Sequence, residues 1–213
     1  MKIIFDWDGT IAKHDIATEA ALRRFKTISH FVDSDLTKHA SKTGDNYKIS
    51  KQIISKYTGI SGDKECTAFA TDIFKLHYLA VMHEMGDKAL CDGMLEVIRK
   101  LYTKGHKLAI VSTLRSDLVK YSLKILKMDA FFEKVYANTP DLKYSKKDVV
   151  EMAKKNLGNV DYMIGDTEED VRAGKSVNAK TIYVTWGASD ASFLGISDHS
   201  ISKSEDILKI IIK

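Results

Sequence analysis

Four short apolar runs constrain this chain more than any other feature: KIIF at 2–5, KLAIVS at 107–112, DYMIG at 161–165 and TIYVTWG at 181–187. Each is bounded by turn-forming residues and is too short for a helix, so each predicts a buried strand. Helical patterns stand between the later ones, MLEVIRKLYTKG at 94–105 closing on a glycine and DLVKYSLKILK at 117–127. Alternation of strand and helix from about residue 93 onward implies a parallel sheet with helices on both faces. The stretch 15–89 breaks the rhythm. It holds no comparable apolar run and shows helical patterns at 15–28, 47–57 and 63–85, the last with Phe69, Ile73, Leu76 and Ala80 at the spacing of one face. The expected fold is therefore α/β, with a Rossmann-like parallel-sheet core made of 1–14 and 90–213 and an all-α insert at 15–89.

In an open parallel sheet, ligands bind outside the carboxyl ends of the strands, so the residues just after each run carry the chemistry. Asp6 and Asp8 follow KIIF; Ser112 and Thr113 close KLAIVS; lysines gather at 143–147; Asp166 and Asp170 follow DYMIG. Carboxylates from two strand ends can share Mg²⁺, a cation that prefers oxygen ligands and leaves positions for a substrate phosphate. A hydroxyl and a lysine can grip the remaining phosphoryl oxygens. One carboxylate is then free to attack phosphorus, and a second one two residues on can protonate the leaving oxygen and later activate water. Each piece has a plain structural alternative. A D-x-D can be a turn, GDTEED a helix N-terminus capped by Asp166 or Thr167, and Ser112 or Thr113 a cap for the following helix. Their joint occurrence at successive strand ends favours the chemical explanation.

A formal charge of +4, from 33 basic and 29 acidic residues spread along the chain, suits anionic ligands. No zinc-finger spacing or aromatic–basic stripe indicates nucleic acid, and no apolar run approaches a membrane span, so neither partner is expected. Cys66 and Cys91 are far apart and read as core thiols in a reducing, cytoplasmic setting. AGKS at 173–176 lacks the earlier glycine of a P-loop, Glu169 standing in its place, and HEMGD at 83–87 is not a zinc motif.

FDWDGT, the hydroxyl ending KLAIVS, a lysine in KYSKKDVVEMA and IGDTEED, in that order, resemble the four motifs of the haloacid dehalogenase superfamily. The similarity spans the core, and the helical insert falls where members with a C1-type cap carry theirs. The late VTWG segment also resembles phosphoglycolate-phosphatase-like members. The resemblance implies Asp6 as nucleophile and metal ligand and Asp8 as general acid/base. It further implies Ser112 and a lysine as phosphoryl contacts, Asp166 as metal ligand, and Asp170 supporting the metal or its water. Asp8, Asp166 and Asp170 accordingly stand with Asp6 as candidate metal residues, and Thr10, Thr113 and Arg115 as candidate phosphate contacts. An acid at Asp8 is what phosphotransfer members have and dehalogenases lack. Lys13 and His14 stand where many phosphatases of this group have aspartate and serine, and the lysine–proline pair of the third motif is missing.

The expected activity is a Mg²⁺-dependent phosphatase on small phosphorylated metabolites, working through a phosphoaspartate. A sugar phosphomutase or a non-catalytic phosphate-binding protein are the alternatives. Lys143, Lys146 and Lys147 compete for the third motif. Ser145 followed by Asp148 matches a capping pattern, which makes Lys146 the first helical residue, on one face with Val149, Val150 and Ala153. Lys147 instead shares its face with Glu151 and Lys154, so Lys146 is favoured, with Lys143 second.

Overall fold

A computed structural model describes residues 1–29, 63–139, 144–187 and 195–212. The helix expected at 47–57, Lys143 and the Cys66 side chain lie outside the described residues. The chain divides into two compact units, Met1–His14 with Met85–Lys213, and Asp15–Glu84.

The larger unit is built on six strands, all paired in parallel: β1 (Lys2–Phe5), β2 (Lys107–Arg115), β3 (Lys134–Asn138), β4 (Tyr162–Gly165), β5 (Lys180–Val184) and β6 (His199–Ile201). Their order across the sheet is β3-β2-β1-β4-β5-β6, so β1 is central, pairing Ile3 with Leu108 on one side and with Tyr162 on the other. That position explains KIIF: a strand covered on both faces needs an unbroken apolar run. Ile4, Ala109, Val111 and Met163 share one face with Val149, Val150, Ala153, Ala173 and Val177. These last five come from or directly follow two helices, α5 (Lys146–Leu157) and α6 (Glu168–Ser176). Ile3, Phe5, Leu108 and Ile110 alternate to the opposite face and are equally buried. Burying one such aliphatic side chain contributes roughly 1.5–3 kcal/mol, so each face is a substantial fraction of the unit's stability. Helices α3 (Met94–Thr103), α4 (Ser116–Ile125) and α7 (Asp206–Ile211) complete the layers.

In the smaller unit the described helices are α1 (Asp15–Ser29) and α2 (Asp63–Met85). Arg23 Nη1 meets Glu84 Oε1 at 2.9 Å, Thr27 Oγ1 and His77 Nε2 lie 2.8 Å apart, and the Arg24 guanidinium stands 5.4 Å from the Phe74 ring centre. The expected apolar face of α2 is rotated. Phe69 and Leu76 are 43% and 70% exposed, whereas Ala70, Tyr78, Val81 and Met82 are buried, a set with its own helical spacing.

All six strands run the same way, so Asp6, Ser112, Asn138 and Asp166 emerge at one edge of the sheet. β3 and β6 were not expected from the sequence. Both are outer strands: β3 (KVYAN) has three apolar residues between polar ends, of which only the valine is strongly hydrophobic, and β6 (HSI) has one, so neither carries the strongly apolar run that marks the central strands.

Candidate active site

Asp6 is the first residue past β1, and its N–H donates to the Ile164 carbonyl at 2.8 Å, which ties it to β4. Asp166 is the first residue past β4. Thr167 then caps α6 in a reciprocal box: its hydroxyl accepts from Asp170 N, while Asp170 Oδ2 accepts from Thr167 N at 3.1 Å and from its hydroxyl at 2.6 Å. The capping expectation holds for GDTEED, and the Asp170 carboxylate that caps through Oδ2 turns its other oxygen, Oδ1, toward the Lys146 ammonium.

Lys146 opens α5 behind Ser145, whose capping box with Asp148 is as expected. Its side chain is 7% exposed and its ammonium contacts Asp6 Oδ1 and lies 2.9 Å from Asp170 Oδ1. Val149, Val150 and Ala153 are buried with it. Lys147 is exposed, 3.8 Å from Glu151, so the two neighbours divide as the helix register requires.

Asp6, Asp166 and Asp170 each bring a carboxylate oxygen within 4.8 Å of the others, all buried. Backbone makes room for them. Gly9 has φ +79°, and a Cβ there would stand 2.3 Å from Asp166 Oδ2; a Cβ on Gly165 would stand 2.3 Å from Asp170 Cβ. Burial pushes the Asp6 carboxyl well above its ordinary value, the neighbouring Asp170 adds to this, and Lys146 pulls against both. Asp166 is raised by burial and by Asp170, against the Thr10 hydrogen bond. For Lys146, burial alone would lower the pKa, but Asp6 and Asp170 outweigh it and hold the ammonium above the usual lysine range. Three carboxylates facing one ammonium leave the cluster short of positive charge.

That shortage fits a divalent cation. The donors are all hard oxygens, as Mg²⁺ prefers, and the one cation beside them among the described residues, the Lys146 ammonium, is shared between Asp6 and Asp170. Among the described residues, Asp6, Asp166 and Asp170 are the side chains grouped closely enough to hold such an ion.

Other expected residues are placed differently. Asp8 is half-buried and is not in the three-carboxylate group. The chain curls after Asp6, with Ile11 N and Ala12 N both donating to the Trp7 carbonyl at 3.0 and 2.9 Å. Thr10, expected to meet phosphate, is fully buried and donates to Asp166 Oδ1 at 3.0 Å, a bond that orients that carboxylate. Arg115 directs its fork to Asp117, at 3.2 and 2.9 Å, a local pair formed because the two residues flank the start of α4. Ser112 is 2% exposed and its oxygen accepts from Leu114 N at 3.0 Å; Thr113 is exposed beside it.

Trp186, within the VTWG segment, and Asn138, which the sequence did not single out, also hold the chain around this region. Trp186 Nε1 donates to the Thr10 carbonyl at 3.3 Å, and the Asn138 side chain bridges two strand-end segments. Cys91 is a buried thiol 3.8 Å from the Gly9 carbonyl. Burial, with Asp166 next, pushes its pKa up to about 12, so it stays protonated and is no nucleophile.

The parallel sheet with an aspartate–lysine cluster at its strand ends defines an α/β enzyme core of the Rossmann-like class. The chain belongs to the haloacid dehalogenase-like hydrolases, whose sequence profile matches residues 3–184. It is similar to Pyrophosphatase PpaX of Bacillus velezensis, 28% identical over 217 residues covering 98% of this chain and 94% of that protein. Among solved structures it shares its fold with a predicted phosphoglycolate phosphatase from Haemophilus somnus 129PT (TM-score 0.69, 17% identity, 98% of this chain and 96% of that one). It also shares it with CbbY from Rhodobacter sphaeroides in complex with xylulose-(1,5)bisphosphate (TM-score 0.65, 18% identity, 95% and 94%). No helix among the described residues is long and apolar enough to cross a membrane.

Proposed function

We propose that the chain is a Mg²⁺-dependent phosphatase of small phosphorylated metabolites that forms a phosphoaspartate on Asp6. The observation that carries this is the contact of Lys146 with both Asp6 and Asp170 beside Asp166, a buried cluster aimed at one carboxylate on the first strand end. Lys146 orients Asp6 and is available to a phosphoryl oxygen, and Ser112 offers a hydroxyl from the neighbouring strand. An Asp6 oxygen attacks phosphorus while the bond to the leaving oxygen breaks, and Asp8 gives that oxygen its proton. Water then attacks the acyl phosphate, Asp8 takes the proton back, inorganic phosphate leaves and the Asp6 carboxylate is restored. The half-buried position of Asp8, outside the cluster, suits a group that serves the leaving oxygen and water. Mg²⁺ held by Asp6, Asp166 and Asp170 would offset the charge of the phosphoryl group approaching an anionic carboxylate. The Asp15–Glu84 unit acts as a cap that limits substrates to small molecules and excludes water.

The full-length similarity to Pyrophosphatase PpaX makes inorganic pyrophosphate a substrate to test beside phosphoglycolate and sugar phosphates. Phosphate release is measured across that panel with Mg²⁺ and with a chelator. Release from at least one compound, abolished by chelation, is expected. Release from none, or release indifferent to the metal, contradicts the proposal.

A further inference from the structure

Asn138 ends β3 opposite an irregularity in β2. The register runs evenly to Ser112↔Ala137 and then shifts to Arg115↔Asn138, leaving Thr113 and Leu114 bulged out of the ladder. A bulge re-aims the strand and leaves backbone groups in need of partners. Ser112 Oγ takes one of them, the Leu114 N–H, at 3.0 Å. Asn138 Nδ2 takes another, donating to the Thr113 carbonyl. The other end of the same amide reaches a different segment: Asn138 Oδ1 accepts from Tyr144 N at 2.6 Å, two residues ahead of Lys146.

We propose that Asn138 is a positioning residue for phosphoryl transfer, its amide coupling the bulge that presents Ser112 and Thr113 to the backbone that leads into Lys146. This rests on the proposed function, in which Ser112 and Lys146 grip the phosphoryl group from two sides. A carboxamide suits the task because one planar group carries both a donor and an acceptor at a fixed span. Alanine provides neither, and an ionised aspartate sets an anion against the Thr113 carbonyl. The ladder at Ser112 and the capping box at Ser145 hold each segment separately. Among the described hydrogen bonds, only the Asn138 side chain links these two segments directly. A displacement near 1 Å between groups acting on one phosphoryl group is enough to cost about 100-fold in rate.

The test compares wild type with Asn138→Ala and Asn138→Asp, using amide hydrogen exchange and kcat/KM on the best phosphoester. Asn138→Ala should accelerate exchange in both 112–116 and 144–148 and lower kcat/KM by about 10–100-fold, with the protein still folded by circular dichroism. Asn138→Asp should recover relative to wild type as pH falls toward an ordinary aspartate pKa of about 4, where its protonated oxygen donates to Thr113. Exchange that changes in one segment alone, a kcat/KM within about twofold of wild type, or a pH-independent deficit in Asn138→Asp would overturn the proposal. If wild type releases no phosphate, the proposed function fails, and the paired exchange response alone decides whether Asn138 couples the segments.

Discussion

Replacing Lys146 by alanine removes the only cation found contacting the buried carboxylate cluster among the described residues. At an effective dielectric of about 20, an ion pair at the 2.9 Å seen for Lys146 and Asp170 is worth roughly 6 kcal/mol of Coulomb energy before desolvation is subtracted. Breaking a buried pair from one side typically costs about 3–5 kcal/mol, because the partner is left buried and uncompensated. The loss should depend on pH, and its sign follows from Asp6 and Asp166, both already raised by burial. A carboxyl with a raised folded-state pKa binds more protons folded than unfolded, so it destabilises the fold as pH rises through that pKa. Without the ammonium both carboxyls rise further. In metal-free buffer, urea unfolding of Lys146→Ala should therefore show a deficit of about 3–5 kcal/mol near pH 8 that shrinks toward pH 5, and added Mg²⁺ should restore part of it. Its kcat/KM should fall by about 10²–10³. Lys147→Ala, losing one exposed contact to Glu151 at 3.8 Å, should change stability by less than about 0.5 kcal/mol and leave activity near wild type. Equal small effects of the two substitutions, or a Lys146→Ala deficit that does not vary with pH, would refute the reasoning.

Gly165→Ala should misplace Asp170, since the new Cβ would stand 2.3 Å from that residue's own Cβ; a loss of about 1–3 kcal/mol with a weakened Mg²⁺ affinity by calorimetry is expected. Asp8→Asn should slow turnover most for esters with poor leaving groups and least for an activated aryl phosphate, and an equal loss for both would remove Asp8 from the acid role. A phosphopeptide should have a specificity constant far below that of the best small phosphoester, and comparable values would contradict a capping role for Asp15–Glu84.

The parts of this molecule that were legible in the sequence are those where physics leaves a strong local mark. β1 lies at the centre of the sheet and must be apolar throughout, and Ser145 with Asp148 form a box whose two members are read three residues apart. Lys146 followed from that box and from helix periodicity, since Val149, Val150 and Ala153 are buried beside it. What was not legible depends on the chain's path between elements. Thr10 lies four residues after Asp6 in sequence, yet a curl closed on the Trp7 carbonyl turns it inward to Asp166. Asn138 acquires its role only because β2 bulges opposite it, and no residue pattern announces a bulge. In α2 the apolar residues are numerous enough to define two faces, and the sequence reading took the one that is exposed at Phe69 and Leu76.

The most direct test of the phosphoaspartate on Asp6 is a mass measurement. Asp8→Asn protein is mixed with Mg²⁺ and an activated aryl phosphate, quenched in acid, weighed intact and mapped by peptide. Transfer to Asp6 predicts one added phosphoryl group on the peptide containing residues 5–10, absent when Asp6→Asn is introduced as well. Turnover with no adduct, or an adduct that persists in the double variant or maps to Ser112, would contradict it.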